Sequence, residues 1–206
     1  MKRNSELIFF SKWFASPLRV ASITPSSTPL ARAMASALPV GDGTVVELGG
    51  GTGPITHALL EAGVRSDQLV VIERDAQFCN HLVRRFPGVV VRHGDALDLV
   101  TLMEDLAVNT PVRAVVSGLP LLSMSSAAQE QLLQQALRLT GGTGPLIQFS
   151  YGLASPLRKR VVQRLGLVDR CVAQVWRNVP PAKVWTYACL TPYPASRQAQ
   201  GGGVSP

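Results

Sequence analysis

The run Thr44-Val45-Val46-Glu47-Leu48 passes straight into Gly49-Gly50-Gly51-Thr52-Gly53 and then Pro54. A β-branched apolar stretch predicts a buried strand, and proline is at home in the first turn of a helix, so the chain must turn from strand to helix within a few residues. Glycine permits that tight turn and lets a ligand approach the backbone, while the helix that follows offers unpaired N–H groups. A strand that feeds a helix in this way belongs in a sheet covered on both faces.

The rest of the chain repeats the unit. Strands are expected at Thr44–Leu48, Gln68–Ile72, Val89–Arg92, Val112–Ser117, Pro145–Tyr151, Asp169–Arg177 and Lys183–Leu190, and helices at Pro54–Ala62, Ala76–Phe86, Ala96–Leu106, Ser126–Leu139 and Pro156–Leu165. This alternation predicts a doubly wound α/β fold with a Rossmann-like seven-stranded sheet. No helix separates the last two strands, so they should pair antiparallel and make the sheet mixed. At 206 residues, 46% of them apolar and 16% charged, the chain suits one domain with a sizeable core and not a disordered polymer. The expected organisation is a helix within 1–20, a catalytic domain over 21–195 and a disordered Gly-rich tail over 196–206.

The charge is unevenly placed. Lys2, Arg3, Lys12 and Arg19 face only Glu6 in residues 1–20, and eight basic residues face only Asp169 in residues 150–206, whereas the middle of the chain is net acidic. A net charge of +7 therefore concentrates at the two ends, which suits an anionic partner, nucleic acid or lipid surface. The three cysteines form no CxxC pair and suggest neither a disulfide framework nor a metal site. The apolar run Leu7–Phe10 is too short for a signal peptide, and no stretch is long enough to span a bilayer. If residues 3–15 are helical, Leu7, Phe9, Phe10, Trp13 and Phe14 fall within an arc of roughly 160° with Lys12 outside it, although Ile8 leaves that face and Glu6 joins it. Such a helix can lie among lipid headgroups or pack its aromatics onto the sheet.

Two further loops converge on the glycine turn. Glu73 ends the second strand, where a carboxylate can accept both hydroxyls of a ribose, and Gly94-Asp95-Ala96 follows the third. Asp95 also has a second reading, as the cap of the helix that starts at Ala96.

The pattern Glu47-x-Gly49-x-Gly51-x-Gly53, with Glu73 and then Gly-Asp-Ala, resembles the class I S-adenosylmethionine-dependent methyltransferases and not the G-x-G-x-x-G dehydrogenases. The resemblance narrows at Phe9-Phe10-x-x-Trp13, Ala21 to Ser27 with Leu30 to Ala35, Ser117-Gly118-Leu119-Pro120-Leu121-Leu122, Gln148 to Gly152 with Ser155 to Leu157, and Asn178 to Trp185. These stretches look like the bacterial phospholipid N-methyltransferases, which convert phosphatidylethanolamine toward phosphatidylcholine. It implies S-adenosyl-L-methionine as cofactor, with Glu47, Gly49, Gly51 and Gly53 beside its methionine, Glu73 on its ribose, and Asp95 and Ala96 at its adenine, Arg74 and Ser117 being grouped with them. Gly50 departs from a frequent proline of that family.

A related family, the rRNA adenine dimethyltransferases, shares the cofactor loops but carries an Asn-Leu-Pro-Tyr type motif that holds and stacks a flipped base. Here the aligned residues are Gly118-Leu119-Pro120-Leu121, which offer backbone carbonyls and apolar walls instead. Gly118, Leu119 and Tyr151 are accordingly the expected catalytic positions, Tyr151 also reading as a core tyrosine. Arg158, Lys159, Arg177 and Lys183 are the expected cations for a lipid phosphate. The expectation is a peripheral enzyme of the inner membrane face in the cytoplasm, with a phospholipid substrate, an anionic surface as partner, no nucleic acid and no metal. The alternative enzyme is an adenine-N6 methyltransferase acting on RNA, and a cofactor-free membrane-binding module is the alternative of a different class.

Overall fold

The computed structural model describes residues 27–106, 110–151, 154–178 and 180–189. The amphipathic segment with Phe9, Phe10, Trp13 and Phe14 and the tail over 196–206 lie outside the described residues. The elements run α1 (Ser27–Ala35), β1 (Thr44–Leu48), α2 (Pro54–Glu61), β2 (Leu69–Glu73), α3 (Ala76–Arg85), β3 (Val90–His93), α4 (Leu99–Glu104), β4 (Val112–Ser117), α5 (Ser126–Leu139), β5 (Leu146–Tyr151), α6 (Lys159–Arg164), β6 (Leu167–Val175) and β7 (Ala182–Cys189). One seven-stranded sheet has the order β3-β2-β1-β4-β5-β7-β6. Strands β1 to β5 are parallel, and β7 is antiparallel to both its neighbours, β5 and β6. The expected doubly wound mixed sheet is the sheet observed.

All five residues of β1 and of β2 are buried, as the centre of a sheet covered on both faces requires. Leu30, Met34, Leu59, Leu82 and Phe86 fill one face with Val45, Val71 and Val116. Leu99, Leu133, Leu137, Val161 and Leu165 fill the other with Val46, Ile72 and Val115. Gly53 joins β1 to α2 at φ 87°, and a Cβ there would lie 2.4 Å from Phe86 Cε2. Gly53→Ala therefore adds left-handed strain to overpacking against a buried ring, and it should lower the unfolding free energy in urea by roughly 2–4 kcal/mol.

Most boundaries fall within a residue of expectation, and three elements differ by more. The helix expected over Ala96–Leu106 is split, because Asp95 accepts from the Leu97 N–H and the Asp98 N–H donates to the Asp95 carbonyl, making a tight three-residue turn before α4. The helix expected from Pro156 starts at Lys159, since buried Gln129 claims the backbone just before it: its Oε1 accepts from the Arg158 N–H at 3.0 Å and its Nε2 donates to the Leu121 and Pro156 carbonyls. Strand β6 begins at Leu167 and ends at Val175, leaving Trp176 and Arg177 in a turn. Helix α1 was not anticipated; its Leu30, Ala31, Met34 and Ala35 form a buried face.

Candidate active site

The crossover direction changes between β1 and β4, the two central strands, and in open α/β sheets the ligand crevice lies beyond the carboxyl ends of the strands at that switch. The loops after β1, β2, β3 and β4 all emerge there. Because Tyr151 and Val175 both pair with Ala182, the end of β5 and the β6–β7 turn lie on the same edge. The expected cofactor residues and the expected acceptor residues are thus brought to one edge.

Glu47 is completely buried, with Thr56 Oγ1 of α2 donating to its Oε2 at 2.7 Å, while its Oε1 has no partner among the described residues. Burial raises its carboxyl from 4.5 to about 7; the Thr56 hydrogen bonds pull it down, and the nearby Glu73 charge pushes it up. A buried acceptor left over in this way suits a ligand that brings a cation. Glu73 is held by two backbone donors, Gly51 N–H to Oε2 at 2.9 Å and Asp75 N–H to Oε1 at 2.8 Å. Each carboxylate oxygen keeps a second lone pair, so the pair still presents two acceptors to a diol. Gly51 sits between these carboxylates at φ 52°, with open space where a Cβ would stand. A ligand with an ammonium group and a ribose fits this donor set.

Asp95 combines both of its readings. One oxygen caps the turn at Leu97, and the other lies 3.8 Å from Nη1 of exposed Arg74. Ala96 is buried against the core. Ser117 is buried with its Oγ accepting from the Leu119 N–H at 3.3 Å, so it shapes the turn after β4.

That turn presses directly on the glycine loop. The Gly118 N–H donates to the Leu48 carbonyl at 2.8 Å, and a Cβ at Gly118 would meet the Gly49 carbonyl oxygen at 2.9 Å, a contact with backbone that cannot swing aside. Leu119 leans over Gly49 and supplies the apolar wall. Leu121 does not supply it: this side chain is packed into the core beneath α5. The Leu119 carbonyl, expected to be available to an amine, already accepts from Gln148 Nε2 at 3.1 Å.

Tyr151 stacks edge-on against Phe149 at 5.3 Å between ring centres, and burial raises its hydroxyl pKa while the Asn178 side-chain amide beside it pulls the other way. It therefore stays protonated and serves as a hydrogen-bonding group, half-buried at the end of β5. Of the expected phosphate cations, Arg158 Nη1 donates to the Met124 carbonyl at 2.7 Å, exposed Lys159 opens α6, exposed Arg177 lies in the β6–β7 turn, and the Lys183 ammonium sits 6.0 Å from the centre of the Trp185 ring.

Thr56, Gln129 and Gln148 were missed from the sequence. Gln129 shares the buried helical stripe Leu132, Leu133, Ala136 and Leu137, and Gln148 interrupts the apolar start of β5, so a polar residue in a core position was the available signal. Gln148 Oε1, like Glu47 Oε1, is a buried acceptor without a partner among the described residues. Among those residues no three His, Cys, Asp or Glu side chains converge as metal ligands, and no helix is long and apolar enough to cross a membrane.

No family model matches the chain. An ornithine lipid N-methyltransferase of Singulisphaera acidiphila is 31% identical over 147 residues, 69% of this chain and 76% of that protein. A ribosomal RNA small subunit methyltransferase A of Afipia carboxidovorans is 39% identical over only 70 residues, 32% of this chain and 24% of that protein. Among solved structures, a TehB-like methyltransferase from Corynebacterium glutamicum superposes with a TM-score of 0.60 at 18% identity, covering 87% of this chain and 98% of that one. The glycopeptide N-methyltransferase MtfA bound to S-adenosylmethionine gives 0.57 at 13% identity, covering 81% and 96%. With three quarters of the Singulisphaera enzyme matched in sequence and the methyltransferase sheet in place, the chain belongs to the family of that ornithine lipid N-methyltransferase and is a class I S-adenosylmethionine-dependent methyltransferase.

Proposed function

We propose that the chain N-methylates phosphatidylethanolamine toward phosphatidylcholine at an anionic membrane surface. The observation that carries the reading is the match to an enzyme named for methylating a lipid amine. The acceptor side supports it: Gly118, Leu119 and Pro120 present neither the amide nor the ring with which an adenine enzyme holds and stacks a base.

When bound, S-adenosylmethionine supplies an electrophilic methyl group on a sulfonium. Glu47, the loop from Gly49 to Gly53, Glu73 and Asp95 are the residues that would hold it. In-line transfer then needs a neutral amine aimed at the methyl, with water kept away. Leu119 excludes water on the apolar side and tolerates an acceptor that becomes less polar as methyl groups accumulate. The Tyr151 hydroxyl orients the amine by hydrogen bonding and is held by Asn178 beside it. Gln148 fixes the Leu119 carbonyl, which sets the shape of the acceptor turn. Arg177, in the β6–β7 turn, and Lys183, at the start of β7, are the cations that would meet the lipid phosphate.

The test is methyl transfer to phosphatidylethanolamine in liposomes, read by mass spectrometry as successive methyl additions. Tyr151→Phe should slow turnover by about tenfold or less, the worth of one neutral hydrogen bond, and leave cofactor affinity unchanged. Transfer of labelled methyl to RNA with none to lipid would sink the proposal. A second reading follows from the relative's own substrate: preference for ornithine lipid, whose headgroup has no phosphate, would mean that Arg177 and Lys183 do not read one.

A further inference from the structure

The edge of the sheet that carries the site is electrically divided. Its β1–β3 half holds Glu47, Glu73, Asp75, Asp95 and Asp98. On its β4–β7 half, residues 118–125, 152–160 and 176–183 contain no Asp or Glu at all and carry Arg158, Lys159, Arg160, Arg177 and Lys183. The described residues of these loops therefore present cations and no carboxylate to a ligand arriving at the acceptor half.

Trp176 stands at the outer end of that half, just after the edge strand β6. It follows the last residue of β6 and is 71% exposed, the most exposed aromatic side chain among the described residues, with exposed Arg177, Pro180 and Pro181 beside it in the same turn. The turn is well fixed. Val175 and Ala182 pair across its base, the Asn178 N–H donates to the Val175 carbonyl, and the buried Asn178 side chain donates to the Pro180 carbonyl at 2.7 Å. A large ring held out in water on a braced turn gains nothing from the fold itself, whereas an indole is at its most favourable at the boundary between water and acyl chains. Leu122, in the turn after β4 and 39% exposed, adds apolar surface on the same edge.

We propose that the β6–β7 turn is a membrane-docking element, with Trp176 inserted at headgroup depth of an anionic bilayer and Arg177 on its phosphates, so that the acceptor crevice opens directly onto the lipid surface. The inference rests on the lipid reading of this site and adds the surface by which the enzyme meets its substrate. Single-stranded nucleic acid also binds cations with an open aromatic ring. Here the same turn carries two exposed prolines and its Asn178 is buried, so no side-chain amide of the turn is exposed to read a base, and these features favour the bilayer.

The experiment uses the full chain and vesicles of phosphatidylcholine with or without phosphatidylglycerol. Trp176→Ala should lower partitioning onto the anionic vesicles about tenfold, as expected for removing a large apolar side chain from an interface, and Arg177→Glu should lower it on anionic vesicles alone. Brominated acyl chains should quench a component of the tryptophan emission that is absent in Trp176→Phe, which preserves the turn. All three variants should keep the wild-type affinity for S-adenosylmethionine, which verifies folding. Transfer to short-chain phosphatidylethanolamine dispersed without a bilayer should survive Trp176→Ala, while transfer in vesicles falls with binding. Unchanged partitioning with no quenching of Trp176 would overturn the docking surface, as would variants that lose single-stranded RNA and retain vesicles. Vesicle binding through Trp176 with no methylated lipid in either format would uphold the surface and overturn the lipid methylation.

Discussion

Glu73→Ala lowers the affinity for S-adenosylmethionine by roughly ten- to a hundredfold in calorimetry on the folded variant. A charged acceptor is worth about 1.5–3 kcal/mol when its partner is buried with it. The loss exceeds that of a simple contact, because the carboxylate also ties the Gly51 N–H of one loop to the Asp75 N–H of the next. Glu73→Gln keeps one acceptor oxygen and should recover part of the affinity. An unaltered affinity in the alanine variant would mean that the cofactor does not reach this carboxylate.

Glu47→Gln makes the cofactor-free protein more stable at alkaline pH while weakening cofactor binding. The folded chain holds this carboxyl at about 7 against an ordinary 4.5, with burial the chief cause, so between those values the folded state keeps a proton that the unfolded chain has released. The contribution of this group to stability is therefore complete below pH 4.5 and is lost as pH rises through 7. The difference amounts to about 3 kcal/mol. Urea unfolding of wild type and variant at pH 4.5 and pH 8 isolates it: the variant should exceed the wild type by about that amount at pH 8 and much less at pH 4.5. Equal stability at pH 8 would show that the ionised carboxylate is not desolvated. A cation brought by the ligand would offset this cost at Oε1, which has no partner among the described residues.

The sheet was legible because its signals are local and repeated: β-branched runs, amphipathic helices and glycine turns recur at spacings that only a doubly wound sheet satisfies. The break before α4 was set locally by the turn at Asp95, whereas another boundary moved through a long-range hydrogen bond. The start of α6 depends on Gln129, some thirty residues away in sequence, and no local rule reveals that pairing. Helix α1 has a stripe too short to stand out, and it is stabilised by packing chiefly against α2 and also against β5, β6 and β7. In the site, Glu73 and Asp95 could be placed by their positions at strand ends, and Glu47 by the resemblance of its glycine pattern. Their partners could not, since Thr56 acts on Glu47 across the glycine turn and Gln148 acts on Leu119 from the neighbouring strand. Leu121 was misplaced because a turn after a strand can send successive side chains in opposite directions, and here the core claimed it.

The placement of β7 between β5 and β6 has a consequence for the order in which the enzyme matures. Strand β6 pairs with β7 alone, so it has no place in the sheet until Ala182–Cys189 has been laid against β5. Strands β1 to β5 meet their partners through crossovers completed earlier in the chain, whereas the turn holding Trp176 and Asn178 is shaped by the last described strand. During synthesis the nucleotide-holding half is thus assembled first. The Gly118–Leu119 turn and Tyr151 belong to that earlier part, and only the β6–β7 side of the acceptor half waits for the strand that begins at Ala182.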